Sequence, residues 1–105
     1  MNRYRFERDE RLGIELPVLL VPWESLCFTE QAEVIARWED IRSCIPERVK
    51  ELEGRIIAKQ RELDEEERFE ASCRLNWDIA ELASIIHDLH LWFRVQQDTV
   101  AKSHL

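Results

Sequence analysis

Between Glu67 and Gln97 the chain runs without Gly or Pro, and Leu75, Ile79, Leu82, Ile86, Leu89 and Phe93 recur at alternating spacings of four and three. That is the seam of a long amphipathic helix, expected over 65–97. Val49, Leu52, Ile56 and Leu63, with Lys59 at the intermediate position, form a second seam over 46–63. Pro46 suits the first turn of that helix, where its missing N–H costs nothing. Val34, Trp38, Ile41 and Ile45 mark a helix over 29–44, with Thr29 as its N-cap and Glu30 and Glu33 where acids suit the helix dipole.

The seams do not join in phase. Heptads continued from Leu63 reach Glu66 or Glu67, Glu70, Trp77 and Ser84, and miss Leu75, Ile79 and Leu82. A tight turn is therefore expected at 62–65, with Asp64 and Glu67 spaced as a capping box. Segments 29–44 and 46–63 together match 65–97 in length. The fold expected is all-α: an antiparallel, coiled-coil-like hairpin of long helices with its first arm broken at Pro46. The alternative is a short three-helix bundle. Residues 1–105 make one domain. Within it, 1–12 is expected to be a flexible arm and 98–105 a tail. Segment 13–28 is too apolar for a solvated loop and should lie extended across the helices. Pro17 and Pro22 argue against a strand there.

The last helix changes character along its length. Its apolar stripe is narrow from Arg68 to Asp78 and widens to about half the circumference from Ile79 to Phe93. One helix covers roughly a third of another's surface, so this half needs a second partner. Residues 14–22 could supply it. A second copy of the chain is favoured, because a hairpin has a thin core. Ile79, Leu82, Ala83, Ile85, Ile86, Leu89, Trp92 and Phe93 are the expected dimer face. Trp77, Ser84, Asp88 and Leu91 cluster on the opposite, polar side. Trp77 is either covered by the N-terminal arm or an anchor for a protein partner.

Charge narrows the possible partners. With 22 acidic and 15 basic residues the net charge is −7, which disfavours direct binding to a nucleic-acid backbone. The acidic run Glu62, Asp64, Glu65, Glu66, Glu67 and Glu70 falls at the expected hairpin tip. Cys27, Cys44 and Cys73 lack CxxC spacing and sit beside apolar residues. They are expected as reduced, packed thiols of a cytoplasmic protein. Met1–Leu12 is charged throughout, and Val18–Val21 is too short for a signal core or a membrane span.

Chemistry finds little to work with. His87 and His90 are spaced i, i+3, but two ligands are not a site. A third would have to come from Cys44 or Glu39 on a facing helix. No serine lies in a nucleophile elbow, and no glycine-rich phosphate loop exists. No catalytic, cofactor-binding or metal residue is expected, and the chain is read as a non-enzyme. The function expected is a small acidic helical interaction module, an adaptor or regulator acting as a homodimer. One alternative is an acidic inhibitor that occupies a basic or nucleic-acid-binding site of its target. The other is a purely structural dimer.

Overall fold

A computed structural model describes residues 3–95. The chain is mostly helical and carries a small two-stranded sheet at its start. β1 spans Tyr4–Asp9 and β2 Ile14–Leu19; a short 3-10 turn, Trp23–Ser25, leads into α1 Phe28–Ser43, α2 Ile45–Glu65 and α3 Phe69–Phe93. The molecule is elongated, 60 × 24 × 21 Å.

Residues 4–9 are a strand, where a flexible arm was expected. Tyr4, Phe6 and Arg8 alternate with Arg5, Glu7 and Asp9, and the partner strand runs antiparallel with Phe6 opposite Pro17. The strand against which Pro17 was expected to argue forms, for a geometric reason. Leu20 N–H donates to the Arg3 carbonyl at 2.9 Å, so alternate pairs from Arg3–Leu20 exchange the ladder bonds. Phe6–Pro17 is an intervening pair, and Pro17 has no ladder donor to lose. The turn is built by Asp9, whose carboxylate accepts from Leu12 N–H at 2.8 Å and whose carbonyl accepts from Gly13 N–H at 2.8 Å. Gly13 has φ +76°, the left-handed region.

α1 begins two residues earlier than Thr29 suggests. Cys27 is the N-cap: its Sγ accepts from Glu30 N–H, and the Glu30 carboxylate accepts from Cys27 N–H at 2.9 Å, closing a capping box. The same carboxylate takes Arg3 Nη2–H at 3.0 Å, so one side chain caps α1 and ties β1 to it. Arg3 first, then the Cys27 N–H, holds Glu30 at about 2, well below the usual carboxylate range.

At Cys44 the chain bends and continues directly from α1 into α2, with Pro46 in the first turn. It does not fold back as the short-bundle alternative requires. α2 runs through the expected turn at 62–65 to Glu65, so Asp64 is helical and caps nothing. Reversal falls at 66–68. There the Glu66 carboxylate accepts from Arg68 N–H at 3.0 Å and from its guanidinium at 3.2 Å. Those two donors lower its pKa, the backbone one most. α3 then packs along α2, with Lys59 meeting Asp78 at 3.3 Å near the far end.

The core lies at the other end. Leu12, Ile14, Trp38, Ile45, Val49, Leu52, Ile85 and Leu89 form one buried cluster, drawn from the ribbon and all three helices. Trp23, Leu26 and Val34 form a smaller one under Tyr4, Phe6 and Leu19. Trp38 stacks edge-on against Trp92, centroids 5.7 Å apart, and its indole N–H donates to the Val95 carbonyl at 2.7 Å. Arg42 donates to the Phe93 carbonyl at 2.6 Å and lies over the Phe93 ring. The carbonyl of the last residue of α3 and that of Val95 just beyond it thus find partners on α1.

The two glycines should respond oppositely to alanine. Gly13→Ala places a methyl about 2.6 Å from Arg48 Nε, which donates to the Leu12 carbonyl, and strains a positive φ. It should cost about 1–2 kcal/mol in a denaturant melt. Gly54 has open space around it, so Gly54→Ala should stabilise α2 by about 0.5–1 kcal/mol. Acid should also release the ribbon. Because the folded-state pKa of Glu30 is depressed to about 2 from 4.5, its contribution is complete above pH 4.5 and lost as pH falls towards 2. The acid limb of a pH–stability curve should therefore flatten in Glu30→Gln.

Candidate functional site

Where α3 leaves the core, its outward face is bare. Phe69 is 81% exposed and Trp77 71%, the largest exposures of an aromatic on this helix, and Leu91 is 48% exposed. At about 100° per residue these three fall within one sector of the helix, together with Cys73, Ala80, Ser84 and His87. All four of those are exposed too. The face points away from α2, since Leu75, Asp78, Ile79 and Leu82 lie on the other side.

The structure divides the expected Trp77, Ser84, Asp88 and Leu91 patch. Trp77 and Leu91 are open to solvent. Ser84 and Asp88 are engaged by Arg11, at the tip of the β-ribbon. Arg11 donates to Asp88 Oδ2 at 2.7 Å, to Ser84 Oγ at 2.8 Å and to Glu81 Oε1 at 3.1 Å. These acids, Asp88 foremost, raise the guanidinium pKa further. The N-terminal arm therefore reaches α3, but it docks beside Trp77 and does not cover it. An arginine that directly follows Asp9 and Glu10 gave no sequence signal that separates this bridge from neutral mixing of charge.

The expected dimer face is a different case. Ile85 and Leu89 are buried within the single chain, and Leu82, Ile86, Trp92 and Phe93 pack against the same cluster. Leu12, Ile14 and Leu16 from the ribbon and Trp38 and Ile41 from α1 supply the extra coverage that the wide arc demanded. Ile79 is half-buried and Ala83 exposed. The arc that motivated a second copy is thus filled without one.

At the far end, Glu62, Asp64, Glu65, Glu67 and Glu70 are exposed. Glu66 is turned onto Arg68, which sits among the acids, and Arg61 and Arg74 flank the run in sequence, so the tip is a mixed surface with an acidic excess.

His87 and His90 are exposed. Their proposed third ligands are engaged elsewhere: Glu39 pairs with Arg42 at 3.0 Å, and the Cys44 thiol donates to the Asp40 carbonyl. Among the described residues no three metal-capable side chains converge. His90 instead edges a shallow apolar cavity of about 220 Å³ with Ile45, Val49 and Phe93. The cysteines are not packed thiols. All three are exposed, because each sits at a boundary or on an outer face: Cys27 at a cap, Cys44 at the bend, Cys73 on bare α3. No described helix is long and apolar enough to cross a membrane.

The sequence matches no family model, and neither curated proteins nor solved structures give a match.

Truncating the buried half of α3 should unsettle each chain individually. Leu89→Ala should cost about 2–5 kcal/mol, as large-to-small changes at full burial do. The loss should be the same at low and high protein concentration in urea melts, since Leu89 is covered by its own chain.

Proposed function

We propose that this protein is a helical protein–protein interaction module whose recognition surface is the outward face of α3. The observation that supports this reading is the pairing of Phe69 and Trp77, 81% and 71% exposed, on one side of a helix anchored at its other end in the core. Aromatic side chains left in water on a rigid element are the usual anchors of interfaces. They also have no packing role in their own chain. The α2–α3 pair serves as a coiled-coil-like stalk that holds the Phe69 and Trp77 part of this face clear of the ribbon and of α1. Adaptor and regulator are the roles that suit it.

The acidic tip supports a second reading, an inhibitor presenting carboxylates to a basic target site. Its exposed acids are the favourable feature, and Arg68 among them weakens it. A solely structural dimer is the third. Salt separates the first two, because apolar anchoring survives 0.3 M salt and contacts between exposed charges are screened there.

Trp77→Ala should leave the melting of dilute protein nearly unchanged, within about 1 kcal/mol. It should cost about 2 kcal/mol or more of partner affinity. The check is a melting curve beside affinity capture with wild type and variant as bait, each washed at 0.3 M salt. A partner retained equally by both, but lost on charge reversal of Glu65 and Glu67, would assign recognition to the tip.

A further inference from the structure

Resting on that reading, we propose that the outward face of α3 binds a second copy of this chain, antiparallel, with the two-fold axis at Ala80. The face has its own heptad spacing. Phe69, Cys73, Trp77, Ala80, Ser84, His87 and Leu91 follow one another at four, four, three, four, three and four residues. That is a second seam, opposite the one α2 covers, and about 33 Å long.

The seam is self-complementary about Ala80. An antiparallel copy sets Phe69 opposite Leu91 of the second copy and Cys73 opposite its His87. Trp77, the largest side chain of the face, meets the group Ala80, Ala83, Ser84 and His87 of the second copy. Those positions are i, i+3, i+4 and i+7, the four corners of a hole for an incoming knob. Three of the four are small and all are exposed, so a Trp fits where a bulkier hole would exclude it. Alanine at the axis lets the two helices approach closely.

Charge at the flanks is largely paired in this register: Glu81, next to the axis, meets its own equivalent, but each is held by its own Arg11 at 3.1 Å. In a two-fold antiparallel pair each flank meets its own equivalent. Arg74, exposed and without a salt bridge among the described residues, then lies across from Asp88 of the second copy. Asp88 already holds Arg11 at 2.7 Å, and a carboxylate can accept from two guanidinium groups. Arg11 is itself 39% exposed at the rim of the face, beside the place Trp77 of the second copy enters, which suits a cation over an indole ring.

The area suffices for a reversible dimer. Phe69, Trp77 and Leu91 of both copies remove roughly 800 Å² from water. The small residues and flanks bring the total towards the roughly 1,200 Å² at the lower end of specific interfaces. An interface of this size is expected to associate reversibly, and any variant that charges the seam should weaken it.

Sedimentation equilibrium of the full chain from 1 to about 200 μM, in 0.15 M salt, measures this. A dimer mass at the upper concentrations is expected, and Trp77→Asp should weaken association at least 30-fold with an unchanged far-UV spectrum. Register is read with Ala80→Cys in a chain whose Cys27, Cys44 and Cys73 are serine. Mild oxidation should give a covalent dimer, whereas Gln60→Cys in the same background, on the exposed side of α2, should not. A monomer at 200 μM overturns the proposal. So does a dimer that Trp77→Asp leaves intact, or one that cross-links at Gln60 and not at Ala80. The parent reading fails separately, if capture of other proteins is also indifferent to Trp77. A monomer that captures another protein through Trp77 keeps the module and rejects only the second copy.

Discussion

Everything in this molecule hangs on Trp38. It is 2% exposed at the centre of the core, where α1, α2, the end of α3 and the β-ribbon converge. Its ring faces Trp92 on α3, and its one polar atom is spent on the Val95 carbonyl. A buried indole N–H without an acceptor is costly, so the last turn of α3 is fixed where that carbonyl can be reached. Arg42, one turn further along α1, does the same for Phe93. Two side chains of α1 thus decide where α3 ends.

A consequence is an uneven distribution of stability along the long axis. At the core end α3 is enclosed on three sides: Leu89 is wholly buried and Ile85 nearly so. At the far end only α2 touches it, through a narrow seam and the half-buried Lys59–Asp78 pair, which water still screens in part. Local opening should therefore start at the 66–68 reversal and stop near Leu82. The recognition face we propose begins in that less constrained part and extends into the rigid one, so that a bound partner would also stiffen the arm.

The β-ribbon solves a coverage problem. A wide apolar arc on one helix can be closed by a second chain or by a local segment. Here Leu12, Ile14 and Leu16 do it locally, held in place by Arg48 on the Leu12 carbonyl and Arg11 on Asp88, Ser84 and Glu81. Once that arc is filled from within, the only large apolar surface left on α3 is the opposite one. Phe69 and Trp77 stand out against that background, because every other aromatic side chain of α3 has found a place in the core.

The helices were legible in the sequence because a 3.6-residue period is a local property. The seams from Val34 to Ile45, Val49 to Leu63 and Leu75 to Phe93 each announce a helix, and their lengths and the phase change between the last two locate the reversal within a few residues. The wheel also separated Trp77 and Leu91 from the buried face before any contact was known. What the sequence could not decide was which long-range partner each side chain meets. Ribbon pairing depends on register between Tyr4–Asp9 and Ile14–Leu19, and Pro17 is harmless only because of which pair it occupies. The N-cap lies at Cys27 because the Glu30 carboxylate closes a capping box on its N–H, and Arg3, distant in sequence, shares that carboxylate. Ser84 and Asp88 looked free until Arg11 crossed from the ribbon to hold them. Periodicity depends on a residue's neighbours in the chain. Coverage and charge pairing depend on its neighbours in space, and only the tertiary structure decided those.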